Sequence, residues 1–283
     1  MLKFKTESPR VREFLFTLAI IKRSKVNLAA LGIIAAFYLM AVFAPWLTPY
    51  DPTKVDVTNK LAMPSLEHPL GTDHLGRDVL SRLIYGARTS MFIGIVVVVT
   101  QSIIGILVGL TAGYAGGKLD ELLMRITDMF MAFPRLILAM LFAYILGRGI
   151  FSATFALSLV GWTSVARLVR SVAIVEKEKE YVTAAKVLGK SDFQILFGEI
   201  LPNALHPVMV TATLGIGGTI VIAAGLSFIG VGVQPPTPDW GVMISDGYRF
   251  LMDQPWVALS PGVLIMLAVL GFNILGDALR DAL

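Results

Sequence analysis

Residues 176–202 read EKEKEYVTAAKVLGKSDFQILFGEILP, and the reading of this stretch decides the rest of the chain. It is the most charged passage after the first apolar run, yet long apolar runs flank it on both sides. Its pattern predicts two short helices around one glycine. In the first, over 177–188, Tyr181, Ala184, Ala185 and Leu188 stand at i, i+3, i+4 and i+7 and so share a face. Gly189 stands where a helix end calls for a left-handed residue. Ser191, with Gln194 three residues on, is a capping-box signature for the second helix. Pro202 predicts a stop or kink before the next apolar run. Charge runs at a membrane edge are commonly plain solvated loops, but such a loop has no use for a capped helix pair. The small Ala184 and Ala185 also leave a flat surface that another protein's groove could approach. We therefore read 176–202 as a docking element.

The composition sets the medium. Of 283 residues, 55% are hydrophobic and 16% charged, with a mean hydropathy of +0.74. A soluble domain carries about 25% charge, so the chain is an all-α integral membrane protein. With no cysteine, disulfides, thiolate-bound metals and thiol catalysis are excluded. The net charge of +4 fits the bias of basic residues toward the inner side of a membrane better than a nucleic-acid partner.

Six spans are predicted. Residues 1–25 form a basic cytoplasmic tail in which 14–21 is apolar but too short to cross. Residues 26–46 are uncharged, and at 1.5 Å per residue they reach roughly 31 Å, one bilayer core. A signal peptide would have a shorter apolar region and a small-residue cleavage site, so 26–47 is a retained first helix. Residues 48–89 form an extracytoplasmic loop closing on GTDHLGRDVLSRLIYGARTS, where Thr72 or Asp73 caps a short amphipathic helix lying at the interface. Residues 90–276 hold five further helices: within 90–115, then 126–146, 149–166, 205–233 and 255–275. The segment 167–204 is their main cytoplasmic loop, Trp240 is placed at an interface, and 277–283 is a cytoplasmic end.

The basic residues orient this scheme. Of 24 Lys and Arg, 16 fall in segments on the side of the N-terminus, 7 on the other side, and Arg135 lies within a span. Both termini and 176–202 are therefore assigned to the cytoplasm.

Catalytic machinery is absent from the sequence. Gly116-Gly117-Lys118 lacks the upstream glycine of a phosphate-binding loop, and Leu119 replaces its Ser or Thr. The three histidines are scattered, and the spacing of Asp73, His74 and Asp78 matches no common metal-ligand pattern. A mid-bilayer charge costs about 2.5–3.5 kcal/mol on insertion scales. Asp128 is placed near the inner edge, and Arg135 deeper, where it either lines a watery pathway or makes a structural contact. Gly215 and Gly218, in the glycine-rich fifth span, either let helices pack closely or let the helix bend at a pathway wall. The sum is a membrane machine with a docking element and no engine of its own.

The stretch 176–202 resembles the cytoplasmic "EAA" loop of importer permeases of ATP-binding-cassette (ABC) transporters. Ala184, Ala185, Gly189, Leu201 and Pro202 match its pattern, whereas Thr183 replaces a glutamate and Glu199 an apolar residue. Glu180 supplies a nearby acid. The passages at 44–52, 68–89, 232–241 and 272–283 are similar to the second permease of dipeptide, oligopeptide and nickel systems, so the resemblance covers nearly the whole chain. It implies a type I ABC importer transmembrane domain in a prokaryotic inner membrane. It further implies a related second permease, two cytoplasmic ATPases that hold the ATP and Mg, and an extracytoplasmic binding protein. On this resemblance Glu180, Tyr181, Ala184, Ala185, Leu188, Gly189, Leu201 and Pro202 couple to an ATPase, and the chain holds no cofactor itself. The implied cargo is a short peptide, with nickel or an oligosaccharide as alternatives. A self-sufficient ion-coupled transporter is the reading from another class; it predicts ion-driven flux by the isolated chain.

Overall fold

The computed structural model describes residues 24–282; the expected basic tail lies outside them apart from Ser24 and Lys25. Among the described residues the fold is all helical: α1 (Lys25–Leu47), α2 (Val79–Ala115), α3 (Gly117–Met131), α4 (Arg135–Leu146), α5 (Ile150–Glu176), α6 (Glu180–Val187), α7 (Asp192–Ile195), α8 (Leu201–Ile229), α9 (Trp240–Tyr248) and α10 (Pro255–Ala282). Five helical runs are long and apolar enough to cross a membrane, and the bent pair α3–α4 makes a sixth if taken as one span.

The bundle departs from the sequence scheme at four places. The helix expected at the interface is not separate, since α2 runs unbroken for 37 residues. That is roughly 55 Å against a bilayer core of about 30 Å. Asp78 starts it by accepting from Ser81 N at 2.8 Å and Ser81 Oγ at 2.7 Å. Its first turns bury Val79, Ser81, Arg82 and Leu83 inside the protein, so they are not free to lie on a membrane surface.

The third span, expected as one helix over 126–146, is instead α3 and α4, bent by 91°. Pro134 explains the break, because it lacks an N–H and steers Phe133 away from helical backbone. Pro202, in contrast, ends nothing. The helical run continues from Asp192 to Ile229 through one wider π-type turn, Leu196–Ile200. That turn sits immediately before Pro202, where the missing N–H already interrupts the α ladder. Trp240, placed at an interface by its type, is fully buried. Its indole N–H donates to Leu83 O at 3.1 Å.

Glycine brings α2 and α5 close together. Gly105, Gly109 and Gly113 recur every four residues on α2 and face α5. A Cβ on each would lie 2.5 Å from Val165 Cβ, 2.5 Å from Ala166 O and 2.7 Å from Ala173 Cβ respectively. Without side chains the two backbones close up, which is the small-residue packing that membrane helices use in place of a hydrophobic drive.

At the end opposite the 176–202 segment, a buried ionic cluster locks the loop before α2 onto α9. Arg77 Nε donates to Asp73 Oδ2 at 2.7 Å and Arg77 Nη2 to Asp246 Oδ2 at 3.0 Å. Arg82 lies 3.5 Å from Asp73 and donates to Pro52 O at 3.3 Å. Asp78 takes the His68 ring at 2.9 Å. The acids of the GTDHLGRD passage thus hold a loop together, each with a cation or a helix start as partner.

Candidate functional site

The helix pair expected at 176–202 forms, with shifted bounds. The first helix is α6, starting at Glu180 and not at 177, because α5 runs on to Glu176 and Lys179 is extended (φ −75°, ψ 149°). Lys177 is drawn back to α2, where its Nζ donates to Gly113 O at 2.9 Å. At the other end Gly189 takes φ +79°. Its N–H donates to Lys186 O at 3.0 Å, and Lys190 N–H to Ala185 O at 3.1 Å. These are the two bonds of a left-handed glycine cap. The capping box is present as well: Ser191 N–H donates to Gln194 Oε1 at 2.9 Å, and Gln194 N–H to Ser191 Oγ at 3.4 Å.

The faces of α6 differ from the expected stripe. Val182 and Ala185 are buried and pack into a core with Leu110 of α2, Val169 of α5 and Ala204 of α8. Ala184 is exposed, and Ala185 therefore belongs to the inner face. The outer face carries Tyr181, Ala184 and, beyond the last turn, Val187 and Leu188. Val187 and Leu188 are 82% and 80% exposed, and Phe193 is 68% exposed on α7, its ring 4.5 Å from that of Phe197. The surface on offer is thus a small apolar knob next to a small residue, more than a flat alanine pair.

Polar ties fasten the pair to the bundle. Tyr114 OH on α2 donates to Asp192 at 2.5 Å, and the Lys186 ammonium sits 5.5 Å from the Tyr114 ring centroid. Glu199, unexpected in an apolar position, pairs with Lys190 at 2.5 Å across the turn. Leu201 is half-buried against the same core as Ala185, and its N–H donates to Leu196 O across the wide turn. Tyr181 donates to Glu176 and accepts from Asn203. Burial, and then the Glu176 carboxylate, push the Tyr181 hydroxyl up from 10.0 to about 12. Its raised value means this stabilisation is complete below pH 10 and is lost as pH climbs through about 12.

The residues placed on a pathway scatter. Asp128 pairs with Arg167 of α5 at 2.5 Å, both side chains about half exposed, at the loop end of the bundle. Beside it Asp120 takes Arg170 in a two-pronged pair at 2.5 and 2.6 Å. Arg135 opens α4 directly after the bend and is exposed. A Cβ on Gly218 would meet nothing within 4 Å, and one on Gly215 only Val98 Cγ2 at 3.8 Å. The close approach of α8 to α10 is made at Gly217, where a Cβ would lie 3.2 Å from Val269 Cα, and at Gly276, where one would lie 2.5 Å from Leu214 Cδ2. Close helix packing therefore does not explain Gly215, which is half-buried, or Gly218, which is exposed. The α2 glycine ladder was missed in the sequence, although the spacing GILVGLTAG at 105–113 displays it. The acid–arginine pairs joining α3 to α5 left no such signal, since their partners are 39 and 50 residues apart.

Comparison with known proteins agrees over almost the whole length. A family described as binding-protein-dependent transport system inner membrane component matches residues 105–283. The N-terminal TM domain of oligopeptide transport permease C matches 17–65. The dipeptide transport system permease protein DppC of Alkalihalophilus pseudofirmus is 45% identical over 263 residues, covering 93% of this chain and 86% of that protein. The oligopeptide transport system permease protein OppC of Bacillus subtilis is 40% identical over 262 residues, 93% of this chain and 86% of that one. The nickel transport system permease protein NikC of Escherichia coli K12 is 39% identical over 254 residues, 90% and 92% of the two chains. In fold, the chain is similar to the MetNI methionine ABC transporter in an inward facing conformation. The TM-score is 0.59 at 21% identity, over 72% of this chain and 97% of that one.

Proposed function

We propose a function from one premise: the chain belongs to the family of binding-protein-dependent transport system inner membrane components. It is a multi-pass permease subunit of an ABC importer. Its cargo, on our reading, is a short peptide, since the relatives named above at 45% and 40% identity carry dipeptide and oligopeptide names. Nickel is the second reading, favoured by the likeness to a nickel permease at 39% identity.

The chain works with a related second permease, two cytoplasmic ATPases and an extracytoplasmic binding protein. ATP and Mg sit on the ATPases, and this chain carries no cofactor of its own. Both termini lie on the cytoplasmic face of the inner membrane, as the distribution of basic residues argues. One observation supports the docking assignment above others: the turn between α6 and α7 is capped on both sides, and α6 is rooted on one face in the core of α2, α5 and α8 while its end exposes Val187 and Leu188. Closure of the ATPases presses on that outer face. The rooted face passes the displacement to the spans, which rock between outward and inward openings. The pathway runs along α4 and α8, with Gly215, Gly218 and Arg135 on its wall and Asp128 at its cytoplasmic rim.

Gly189→Pro tests the transmission. Proline fixes φ near −65° and removes the N–H that caps α6. Holding a residue at Gly189's φ of +79° costs an ordinary side chain roughly 1–2 kcal/mol, and proline cannot reach it. The variant should insert normally yet lose ATP-driven uptake, measured in membrane vesicles; wild-type uptake would contradict the docking assignment. The cargo is tested by isolating the chain with its companions and analysing what the co-purified binding protein holds. Bound peptides and ATP-dependent uptake of tritiated dialanine are expected. Bound nickel would move the assignment to the second reading, and ion-driven flux by the chain alone would overturn it.

A further inference from the structure

One hydroxyl joins the docking helix to the spans on both sides of it. Tyr181, on α6, donates to the carboxylate of Glu176, the last residue of α5, and accepts from Asn203 Nδ2 at 3.1 Å in the first turn of α8. Both neighbours are themselves held. Glu176 is 7% exposed and takes a second bond from Lys179 at 2.7 Å. Asn203 Nδ2 also donates to Glu199 O at 2.8 Å.

The remaining attachments of α6 are the apolar packing of Val182 and Ala185 and the contact of the Lys186 ammonium with the Tyr114 ring, 5.5 Å to its centroid. Apolar contact is non-directional, so by itself it lets a short helix slide or roll against its neighbours. A hydrogen bond to a shielded carboxylate is directional and stronger than a neutral one. α6 has only 8 residues and too few internal bonds to keep its own register.

Resting on the permease assignment above, we propose that Tyr181 is a positioning residue for energy transfer. Its hydroxyl pins α6 to α5 and α8 together, so that one displacement of the docking helix moves two spans in step. The proton remains on the hydroxyl throughout the neutral range, which keeps both bonds available at once.

Tyr181→Phe removes the pin and keeps the ring. The test uses the whole transporter, purified through this chain with its native companions and placed in proteoliposomes with its binding protein. Tritiated dialanine and nickel-63 are the two tracers. The variant should retain its full set of subunits, and its ATP hydrolysis is measured alongside uptake so that transport is expressed per ATP. Tracer moved per ATP should fall about tenfold, the factor that one such bond carries. Asn203→Ala should act in the same direction and more weakly, and the double variant should be no worse than Tyr181→Phe, which already breaks both bonds. Unchanged tracer per ATP in Tyr181→Phe overturns the proposal. So does loss of the ATPases from the complex, which would make the hydroxyl an assembly contact, and so does full additivity of the two changes. The wild-type transporter separates the two levels of failure: if it moves neither tracer on ATP, the permease assignment itself falls.

Discussion

Arg77→Ala should destabilise the chain by about 3–5 kcal/mol, the range for removing one partner of a buried ion pair. Arg77 is 2% exposed, and its guanidinium spans Asp73 at 2.7 Å and Asp246 at 3.0 Å. Its removal leaves Asp73, itself 3% exposed, with the longer 3.5 Å contact to Arg82 in place of a bonded guanidinium. The damage also reaches across the fold. The side-chain bridge from Asp73 to Asp246 of α9 is lost, so the loop that leads into α2 is left with its own backbone bonds to Asp73, from Leu75 at 2.8 Å and residue 77 at 3.0 Å. The variant should accumulate poorly, and its thermal unfolding in detergent should begin well below that of the wild type. An unchanged midpoint would mean that the cluster is a passenger on the fold.

Gly109→Leu should be nearly as severe, by a different route. A first side-chain carbon at Gly109 would stand 2.5 Å from Ala166 O, 2.8 Å from Val169 Cβ and 3.0 Å from Arg170 N. Two of these are backbone atoms of α5, which cannot swing aside as a side-chain tip can. The helices must separate, and the ladder at Gly105 and Gly113 separates with them. Overpacking a tight site costs about 1–3 kcal/mol, and here the loss of neighbouring contact adds to it. Thermal unfolding again reads the effect, with Gly32→Ala as the control. A Cβ at Gly32 meets nothing within 4 Å, so that change should be neutral or gain up to about 1 kcal/mol of helix propensity. If the two variants behaved alike, the close approach of α2 and α5 would not be a source of stability.

Local chemistry accounts for what was legible in advance. Gly189, Ser191 and Gln194 act within five residues of one another, and the caps they predict are present. The apolar runs follow from composition, and they give the helices of the bundle. Bounds and faces failed where distant partners decide. No periodicity within 177–188 could show that Ala185 turns inward while Leu188 stays out, because the surface that claims Ala185 comes from α2, α5 and α8. Trp240 looked interfacial by type, yet it fills the space over Gly86, whose missing Cβ would lie 2.7 Å from the indole. Pro134 and Pro202 look alike in sequence. One sits at a 91° bend and the other follows a wide turn within a continuing helix.

The central claim is that the outer face of α6 meets an ATPase. The natural chain has no cysteine, so Leu188→Cys gives a single thiol on that face. Treating native membranes with a short thiol–amine cross-linker and identifying the product by mass spectrometry tests the claim directly. The account predicts one dominant adduct of this chain with a nucleotide-binding ATPase subunit. A thiol that stays open to maleimide in a complex still containing the ATPase, or that links instead to another membrane subunit, would contradict it.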